Sequence, residues 1–269
     1  MNINAWRPTP FVLASAALHF GSILLLLLKP ELWRWALGAL LFNHVLICAA
    51  SLWPRSTALG ENLVRLPENA ARRREIALTF DDGPDAEVTP KVLAILAAYG
   101  VHASFFCIGE RAAVHPELCR DIVAAGHSVE NHGQLHRKHY SLLGLRGWKK
   151  EVGTAQTLLN SITGQRPRFF RALAGLRNPF LDPVLHQLGI SLASWTRRGY
   201  DTRTGNADTV FARLTNNLAA GDILLLHDGN SARTPNGTPV VLEVLPRLLN
   251  ELATRKLKPV TLSSACNTT

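Results

Sequence analysis

LTFDDGP, residues 78–84, ends an apolar run with two adjacent carboxylates, Asp81 and Asp82, and breaks it at once with Gly-Pro. Like charges side by side disfavour ionisation of both groups unless a cation or strong hydrogen-bond donors face them. Gly-Pro is a turn signal, so the run is predicted to be a strand that stops at the two carboxylates. The stretch therefore predicts a strand that ends in a polar site and raises the question of what lies opposite the pair.

Downstream of residue 75, short β-rich runs alternate with stretches of helical periodicity, which is typical of an α/β domain with a mainly parallel sheet. Seven strands are predicted, near residues 76–81, 104–108, 128–131, 168–171, 191–195, 223–227 and 259–262. Six helices are predicted between them, over residues 90–98, 116–125, 145–162, 178–188, 209–219 and 239–255. This order fits an open sheet or a barrel, and periodicity does not separate the two.

Polar residues fall at the carboxyl ends of several predicted strands. The Asp pair ends the first strand, Asn131-His132 the third, Arg171 the fourth and His227 the sixth. Ligand and catalytic groups gather at that rim in barrels and in open α/β sheets. We therefore expect these side chains to lie together.

The segment HGQLH places His132 and His136 four residues apart. If the segment is one helical turn, both rings face the same side. With one carboxylate they would form a two-His, one-carboxylate set that keeps coordination positions open, for which zinc is the commonest ion. The spacing alone is a weak signal because the chain holds ten histidines, and a strand-end His227 is also compatible with a hydrogen-bonded core residue.

The first sixty residues are predicted to enter the membrane. Residues 9–28 contain no Asp, Glu, Lys or Arg, and a second apolar run covers about residues 32–53 with tryptophans at its ends. We predict a transmembrane hairpin over residues 1–56, a basic juxtamembrane linker over 57–74 and an α/β domain over 75–265. A signal peptide is the alternative, but its charged start is thin and a second apolar run follows.

Flanking cations predict the orientation and the compartment. Basic residues precede the first helix and follow the second, which places both ends, and the downstream domain, on the cytoplasmic side of a bacterial-type inner membrane. Of the formal charge of +9, +5 lies in residues 1–74, and no aromatic-interleaved basic stripe is present. The sequence therefore favours contact with membrane lipid and argues against a nucleic-acid partner.

Three segments together resemble the polysaccharide deacetylase family, also called the NodB-homology group. They are TFDDG at residues 79–83, GHSVENHGQLH at 126–136 and ILLLHD at 223–228, and the resemblance covers about residues 75–263. It implies a distorted (β/α) barrel of about seven strands that carries a metal-dependent N-deacetylase site.

The resemblance also implies a role for each motif residue. Asp81 would be the general base, and Asp82 would bind a divalent metal together with two histidines, His132 and His136. His227 would be the general acid for the leaving amine, and Arg171 would hold and tune Asp81. Zinc is the expected ion, with Co²⁺, Ni²⁺ or Mn²⁺ as alternatives.

Three motifs depart from the family pattern. The second usually has Ser or Thr after its first His, and here that position is Gly133. The third, usually Arg-x-Pro-aromatic-Gly, reads RALAG at residues 171–175, where the backbone N–H of Ala174 could still face an oxyanion. The fourth, usually an acidic pair near a Trp, reads WTRRGYD at residues 195–201. It retains Trp195 beside the substrate groove and Asp201 to orient Arg171 or His227. The substrate-shaping groups have changed while the acid–base and metal groups are retained.

The leading interpretation is a metal-dependent hydrolase that removes an N-acyl group, such as acetyl, from an amino sugar of a polysaccharide or a lipid-linked cell-envelope glycan. One alternative is a deformylase of a lipid-linked amino sugar. A second, from a different class, is a non-catalytic membrane protein that binds glycans. The expected partners are an N-acylated glycan or lipid-linked sugar and the membrane lipid.

Overall fold

A computed structural model describes residues 5–137 and 139–267 of the chain. It begins with two apolar helices, α1 (Pro10–Leu28) and α2 (Trp33–Leu52), which are long and apolar enough to cross a membrane. Asn43 on α2 donates a 2.8 Å hydrogen bond to Ser15 Oγ on α1. This side-chain bond within the apolar runs joins the two helices to each other.

A parallel sheet forms the centre of the rest of the chain. The strands are β1 (Glu75–Gly83), β2 (Ser104–Cys107), β3 (Ser128–Asn131), β4 (Phe169–Phe170), β5 (Ser191–Leu192), β6 (Arg197–Arg198), β7 (Ile223–His227) and β8 (Lys258–Val260). Seven of them lie in the order β5-β4-β3-β2-β1-β7-β6, and β8 pairs with the first residues of β1. The sheet curls into an incomplete barrel with β1 at its centre, which confirms the predicted fold class.

Helices surround this sheet. They are α3 (Glu68–Arg72), α4 (Thr89–Ala98), α5 (Gly109–Val114), α6 (Pro116–Ala124), α7 (Leu145–Thr163), α8 (Leu181–Leu188), α9 (Ala207–Thr215), α10 (Val240–Thr254) and α11 (Leu262–Cys266). The main core packs between β1, β2, β7 and the helices α4, α6, α9 and α10. Leu78, Phe80 and Leu224 lie in this core without solvent exposure, because parallel strands are covered on both faces.

The predicted elements differ from the observed ones mainly at their bounds. The strand predicted over residues 191–195 has only two regular residues, and the chain continues through a single bridge between Ala193 and Leu63. β6 was not predicted, because two arginines carry no apolar alternation. Its backbone instead pairs with Leu224 and Leu225 of β7.

The segment between the apolar helices and the sheet packs against the domain. Leu59, Leu66 and Ala70 are buried there. Arg177 is 2% exposed, and its guanidinium donates to the carbonyl of Ser56 and, at 3.2 Å, to that of Gly60. The loop after α2 is thereby tied to the chain segment that precedes α8.

The same loop reaches the sheet at Pro54. Ser194 Oγ donates to the Pro54 carbonyl oxygen at 2.6 Å. Pro54 and Trp195 both press on the α-carbon of Gly175, where an added Cβ would lie 2.4 Å from Pro54 Cβ and 2.9 Å from the Trp195 ring. The end of α2 is therefore separated from Trp195 by a single layer of residues.

Candidate active site and metal site

The two adjacent carboxylates leave β1 in different directions. In a regular strand successive side chains point to opposite faces. Here the pairing with β2 shifts register between Asp81 and Gly83, and Asp82 has a left-handed φ of +71°. This irregularity turns both carboxylates to the carboxyl rim, where Asp81 meets Arg171 and Asp82 meets the two histidines.

Position 83 favours glycine because it lies against the side chain of Asp228, the residue that follows β7. A Cβ at this position would lie 2.3 Å from Asp228 Oδ2. Asp228 is fully buried and accepts a 2.6 Å hydrogen bond from Thr89 Oγ1. Burial raises the pKa of Asp228 to about 7, the bond from Thr89 opposes that rise, and the charge of Asp82 adds to it. A larger residue at position 83 would have to displace the buried carboxylate of Asp228.

The two histidines come together in a loop, and the helical turn considered for residues 132–136 is absent. β3 ends at Asn131, and the chain then passes through left-handed φ values of +86° at Gly133 and +51° at His136. The side-chain oxygen of Asn131 accepts the Gly133 N–H at 2.8 Å. A tight loop therefore gives the shared direction of the rings that one helical turn would also give.

Glu151 on α7 holds this loop, and sequence reasoning missed it. Its carboxylate accepts the backbone N–H of Leu135 at 2.6 Å, the N–H of Gln134 and the hydroxyl of Tyr140. Glu151 is only 7% exposed. A buried acid in the middle of an amphipathic helix was the signal that could have identified it.

Three ligand atoms converge on one point. Asp82 Oδ1 lies 3.2 Å from His132 Nε2 and 3.0 Å from His136 Nε2, and the three groups offer ligand atoms within 4.8 Å of one another. His132 Nδ1 lies 2.8 Å from the Arg171 carbonyl oxygen, which fixes Nε2 toward the site. Metal-binding histidines are commonly oriented by such a bond. The donor set fits a divalent ion with one carboxylate and two imidazole ligands.

The electrostatics of Asp82 favour its charged form. Burial alone would raise the pKa of Asp82, but the close imidazoles of His132 and His136 outweigh it and hold the pKa well below its usual range. A carboxylate that stays ionised while buried is suited to binding a cation.

Arg171 holds the other carboxylate. It is 1% exposed, and its Nη1 donates to Asp81 Oδ1 at 2.6 Å and to Thr79 Oγ1 at 2.8 Å. The remaining donors bond the carbonyl oxygens of Ala193 and Ser194. Because these four hydrogen bonds hold the guanidinium in place, Asp81 is fixed in one orientation, with Oδ2 3.8 Å from His132 Nε2.

His227 is paired with Asp201. Nδ1 of the imidazole lies 2.8 Å from Asp201 Oδ1, and the His227 backbone N–H donates to Asp201 Oδ2 at 2.8 Å. Burial would lower the pKa of His227, but the fully buried Asp201 outweighs it and the pKa is raised. A carboxylate that accepts from Nδ1–H leaves Nε2 as the nitrogen available to a ligand.

These groups surround one cavity of about 290 Å³. Ala174 and Trp195 line its wall, and neither forms a hydrogen bond to Asp81, Arg171 or His227 among the described residues. The residues that line the cavity are Asp81, Asp82, His132, Leu173, Ala174, Trp195, Arg198, Thr202, Arg203, Leu225, His227 and Asn230. His136 completes the cluster from beside Asp82.

Sequence reasoning did not assign Asn230 or Arg111. Asn230 Nδ2 donates to Asp82 Oδ2 at 3.0 Å, and Arg111 donates to the Asp82 carbonyl and, at 2.8 Å, to Asn230 Oδ1. Both residues therefore position Asp82. They lie on loops and short helices that carry no motif by which to identify them.

Comparison with known proteins matches residues 68–193 to the family described as polysaccharide deacetylase. A peptidoglycan-N-acetylglucosamine deacetylase of Bacillus cereus is 29% identical over 203 residues, which are 73% of this chain and 70% of that protein. A chitooligosaccharide deacetylase of Bradyrhizobium sp. is 35% identical over 157 residues, covering 58% and 71% of the two chains.

A solved structure shows the same fold. The crystal structure of a peptidoglycan N-acetylglucosamine deacetylase superposes with a TM-score of 0.69 at 27% sequence identity. The superposition covers 77% of this chain and 94% of the other. The similarity therefore extends over nearly the whole of that enzyme.

Proposed function

This chain belongs to the polysaccharide deacetylase family, and from that premise we propose that it is a metal-dependent hydrolase of amino-sugar N-acyl groups. The reaction breaks the C–N bond of an amide on an amino sugar and releases a carboxylate, for which acetate is the first candidate. The observation that carries the proposal is the convergence of three paired sets on one cavity. These are Asp81 with Arg171, Asp82 with two histidines, and His227 with Asp201.

The residues divide the proton transfers between them. Asp82, His132 and His136 would hold a divalent ion, which would supply Lewis acidity toward the amide carbonyl and toward water. Asp81, held by Arg171, takes the proton from the attacking water. His227 gives a proton to the departing nitrogen, and each such transfer typically contributes about 10²- to 10⁴-fold to the rate.

The position of the cavity supports a proposal for the substrate class. The relatives act on peptidoglycan or on chitooligosaccharides, as their names state, and we propose a lipid-linked or cell-envelope glycan for this chain. The proposal is supported by Pro54 and Trp195, which pack against Gly175 from two sides. Because Trp195 lines the cavity and Pro54 follows α2, the cavity wall lies next to the end of an apolar helix. A membrane-held substrate would reach such a cavity without leaving the bilayer surface.

We also propose where the protein lies in the cell. We propose that α1 and α2 anchor the protein in the inner membrane as a hairpin, that residues 57–74 form a juxtamembrane segment, and that the domain over 75–265 faces the cytoplasm. Arg7 before α1 and the arginine cluster before β1 support this orientation.

Acyl release from a substrate panel tests the function. Acetate and formate are measured with zinc present, using soluble N-acetylated oligosaccharides and lipid-linked N-acylated amino sugars, for the wild type, Asp81→Asn and Asp121→Asn. Asp121 is an exposed acid on α6 and serves as the matched control. We expect release by the wild type and the control, a fall of at least about 100-fold in Asp81→Asn, and loss on chelation that zinc or cobalt reverses.

The released product, acetate or formate, identifies the acyl group that is removed. The same panel can also contradict the proposed function. Formate from lipid-linked substrates with no acetate would favour the deformylase. Bound zinc with no release from any substrate would favour a protein that binds glycans without hydrolysing them.

A further inference from the structure

Two neighbouring arginines on β6 have different surroundings. Arg197 Nε donates to Asp222 Oδ2 at 2.8 Å, and Asp222 is fully buried and also paired with Arg65. Successive residues of a strand point to opposite faces. Arg198 accordingly faces the other way, into the cavity that holds the catalytic groups. Arg197 is a structural residue, and Arg198 requires a separate explanation.

Arg198 is half-buried without a carboxylate partner. No salt bridge is formed by Arg198 within residues 5–137 and 139–267, and its buried Nε has no hydrogen-bond acceptor there. Its guanidinium carbon lies 5.4 Å from the Trp195 ring centroid and 5.0 Å from that of Tyr200. Two aromatic rings therefore hold the group in place while its charge and donors stay unsatisfied.

The charges around the cavity leave room for an anion. Asp81 is neutralised by Arg171, and Asp82 faces the metal ligands. Arg203 also lines the cavity and forms no salt bridge within the described part of the chain. The side of the cavity formed by residues 195–203 thus carries two arginines that have no salt bridge to any described residue.

We propose that Arg198, with Arg203 beside it, binds a phosphate group of the substrate next to the sugar that is deacylated. This inference rests on the proposed function and specifies its substrate as a sugar phosphate or a lipid phosphate-linked sugar. A planar guanidinium supplies paired N–H donors that match phosphate oxygens. Trp195 supports Arg198 on one side and lies beside Gly175 and Pro54 on the other, so the phosphate is recognised on the wall nearest the apolar helices.

Paired substrates test the inference in the zinc-loaded full-length protein. The rates compared are those on N-acetylglucosamine 1-phosphate, on a polyprenyl-phosphate-linked N-acetylated sugar and on methyl N-acetylglucosaminide, which has no phosphate. We expect wild type to prefer the phosphate-bearing sugars in kcat/KM, and Arg198→Gln to lower that preference about 10- to 100-fold. Arg198→Lys should restore part of it. Preference for both phosphate substrates indicates a phosphate subsite as such, and preference for the polyprenyl form alone indicates a lipid-linked source.

Arg213→Gln is the matched control. Arg213 also packs on Tyr200, with its guanidinium carbon 5.4 Å from the ring centroid, but it does not line the cavity. It should keep the preference for phosphate. If Arg198→Gln lowers the rates on phosphorylated and neutral sugars equally, or if wild type has no preference, the phosphate subsite is overturned while the deacetylase stands.

Binding of inorganic phosphate tests the phosphate subsite independently of the hydrolysis reaction. Isothermal titration calorimetry should give a weaker phosphate Kd in Arg198→Gln than in wild type and Arg213→Gln, whether or not any sugar is hydrolysed. Lost phosphate affinity with no acyl release would support the subsite and contradict the proposed function. An unchanged Kd would overturn the subsite.

Discussion

At the scale of single residues, the site separates two identical neighbouring carboxylates by giving them different partners. Asp81 receives a buried arginine, and Asp82 receives two imidazoles. The repulsion expected between adjacent charges is relieved because each carboxylate has its own partner groups. The left-handed backbone at Asp82 is what allows two successive side chains to serve one site.

Asp201 should control the pH at which activity is lost. We expect Asp201→Asn to lower the pKa of His227, because burial then disfavours the imidazolium without a facing carboxylate to oppose it. A general acid must be protonated, so activity falls as pH rises through the pKa of His227. The alkaline limb of the kcat/KM profile should therefore move to lower pH in this variant.

The measurement is a full pH–rate profile on one substrate. Asp208→Asn is the control, since Asp208 is an exposed acid whose partner is Arg247 on the surface. An alkaline limb that stays in place in Asp201→Asn would show that His227 is not the group that titrates there.

Motif residues could be predicted from the sequence because their chemistry is unusual for their position. Adjacent acids at a strand end and a lone histidine after an apolar strand each require a partner, and the structure brings Asp81, Asp82 and His227 to one cavity. Glu151 offered a weaker signal of the same kind, because it is an acid among the apolar positions of α7. Arg198 offered none, and its importance depends on what the fold places opposite it.

At the scale of elements, the loop over residues 132–136 depends on α7. The helix was predicted from its periodicity, and its observed bounds, Leu145–Thr163, agree closely. The helical turn considered for the histidines was absent, because a spacing of four residues is compatible with more than one backbone path. What fixes the path is an acceptor contributed by another element, which local sequence does not contain.

Glu151→Ala should loosen that loop and weaken metal binding. The variant leaves two backbone N–H groups and the Tyr140 hydroxyl without their acceptor, so the histidines lose their fixed orientation. Groups that orient metal ligands typically contribute about 10- to 100-fold to affinity, and we expect a loss of zinc affinity in that range.

Competition with a zinc-binding dye measures this affinity independently of activity. Lys150→Ala, an exposed position on the same helix, is the control and should bind zinc as the wild type does. Equal zinc affinity in Glu151→Ala would show that the loop keeps its shape without α7.

At the scale of the whole molecule, the apolar helices and the sheet are joined by specific contacts. Buried Arg177 bonds the loop after α2, and Trp6 Nε1 donates to Asp182 Oδ2 at 2.7 Å. The predicted division at residue 57 remains a prediction, although residues of that segment are buried against the domain. Composition predicts apolar helices well, but it holds no information on which surface of the domain they contact.

Reporter fusions should place both ends of the hairpin on the cytoplasmic side. A reporter enzyme that works only in the cytoplasm should be active when it is fused after residue 267. The reason is that more cations flank the hairpin than lie in its turn. A fusion in the turn near Glu31 is the internal control and should give the opposite signal. A periplasmic signal at the C-terminal fusion would contradict the orientation and favour peptidoglycan or exopolysaccharide as the substrate.

The central position of β1 has a consequence for how the protein is made. β1 pairs with β2, which follows it closely, but also with β7 and β8, which come from residues 223–260. While the ribosome is still synthesising the intervening segments, one edge of β1 has no neighbour and its apolar side chains are uncovered. Pairing over such sequence separation is slow and exposes a chain to aggregation. The nascent protein therefore exposes the apolar edge of β1 until residues 223–260 have been synthesised, and molecular chaperones would act in that interval.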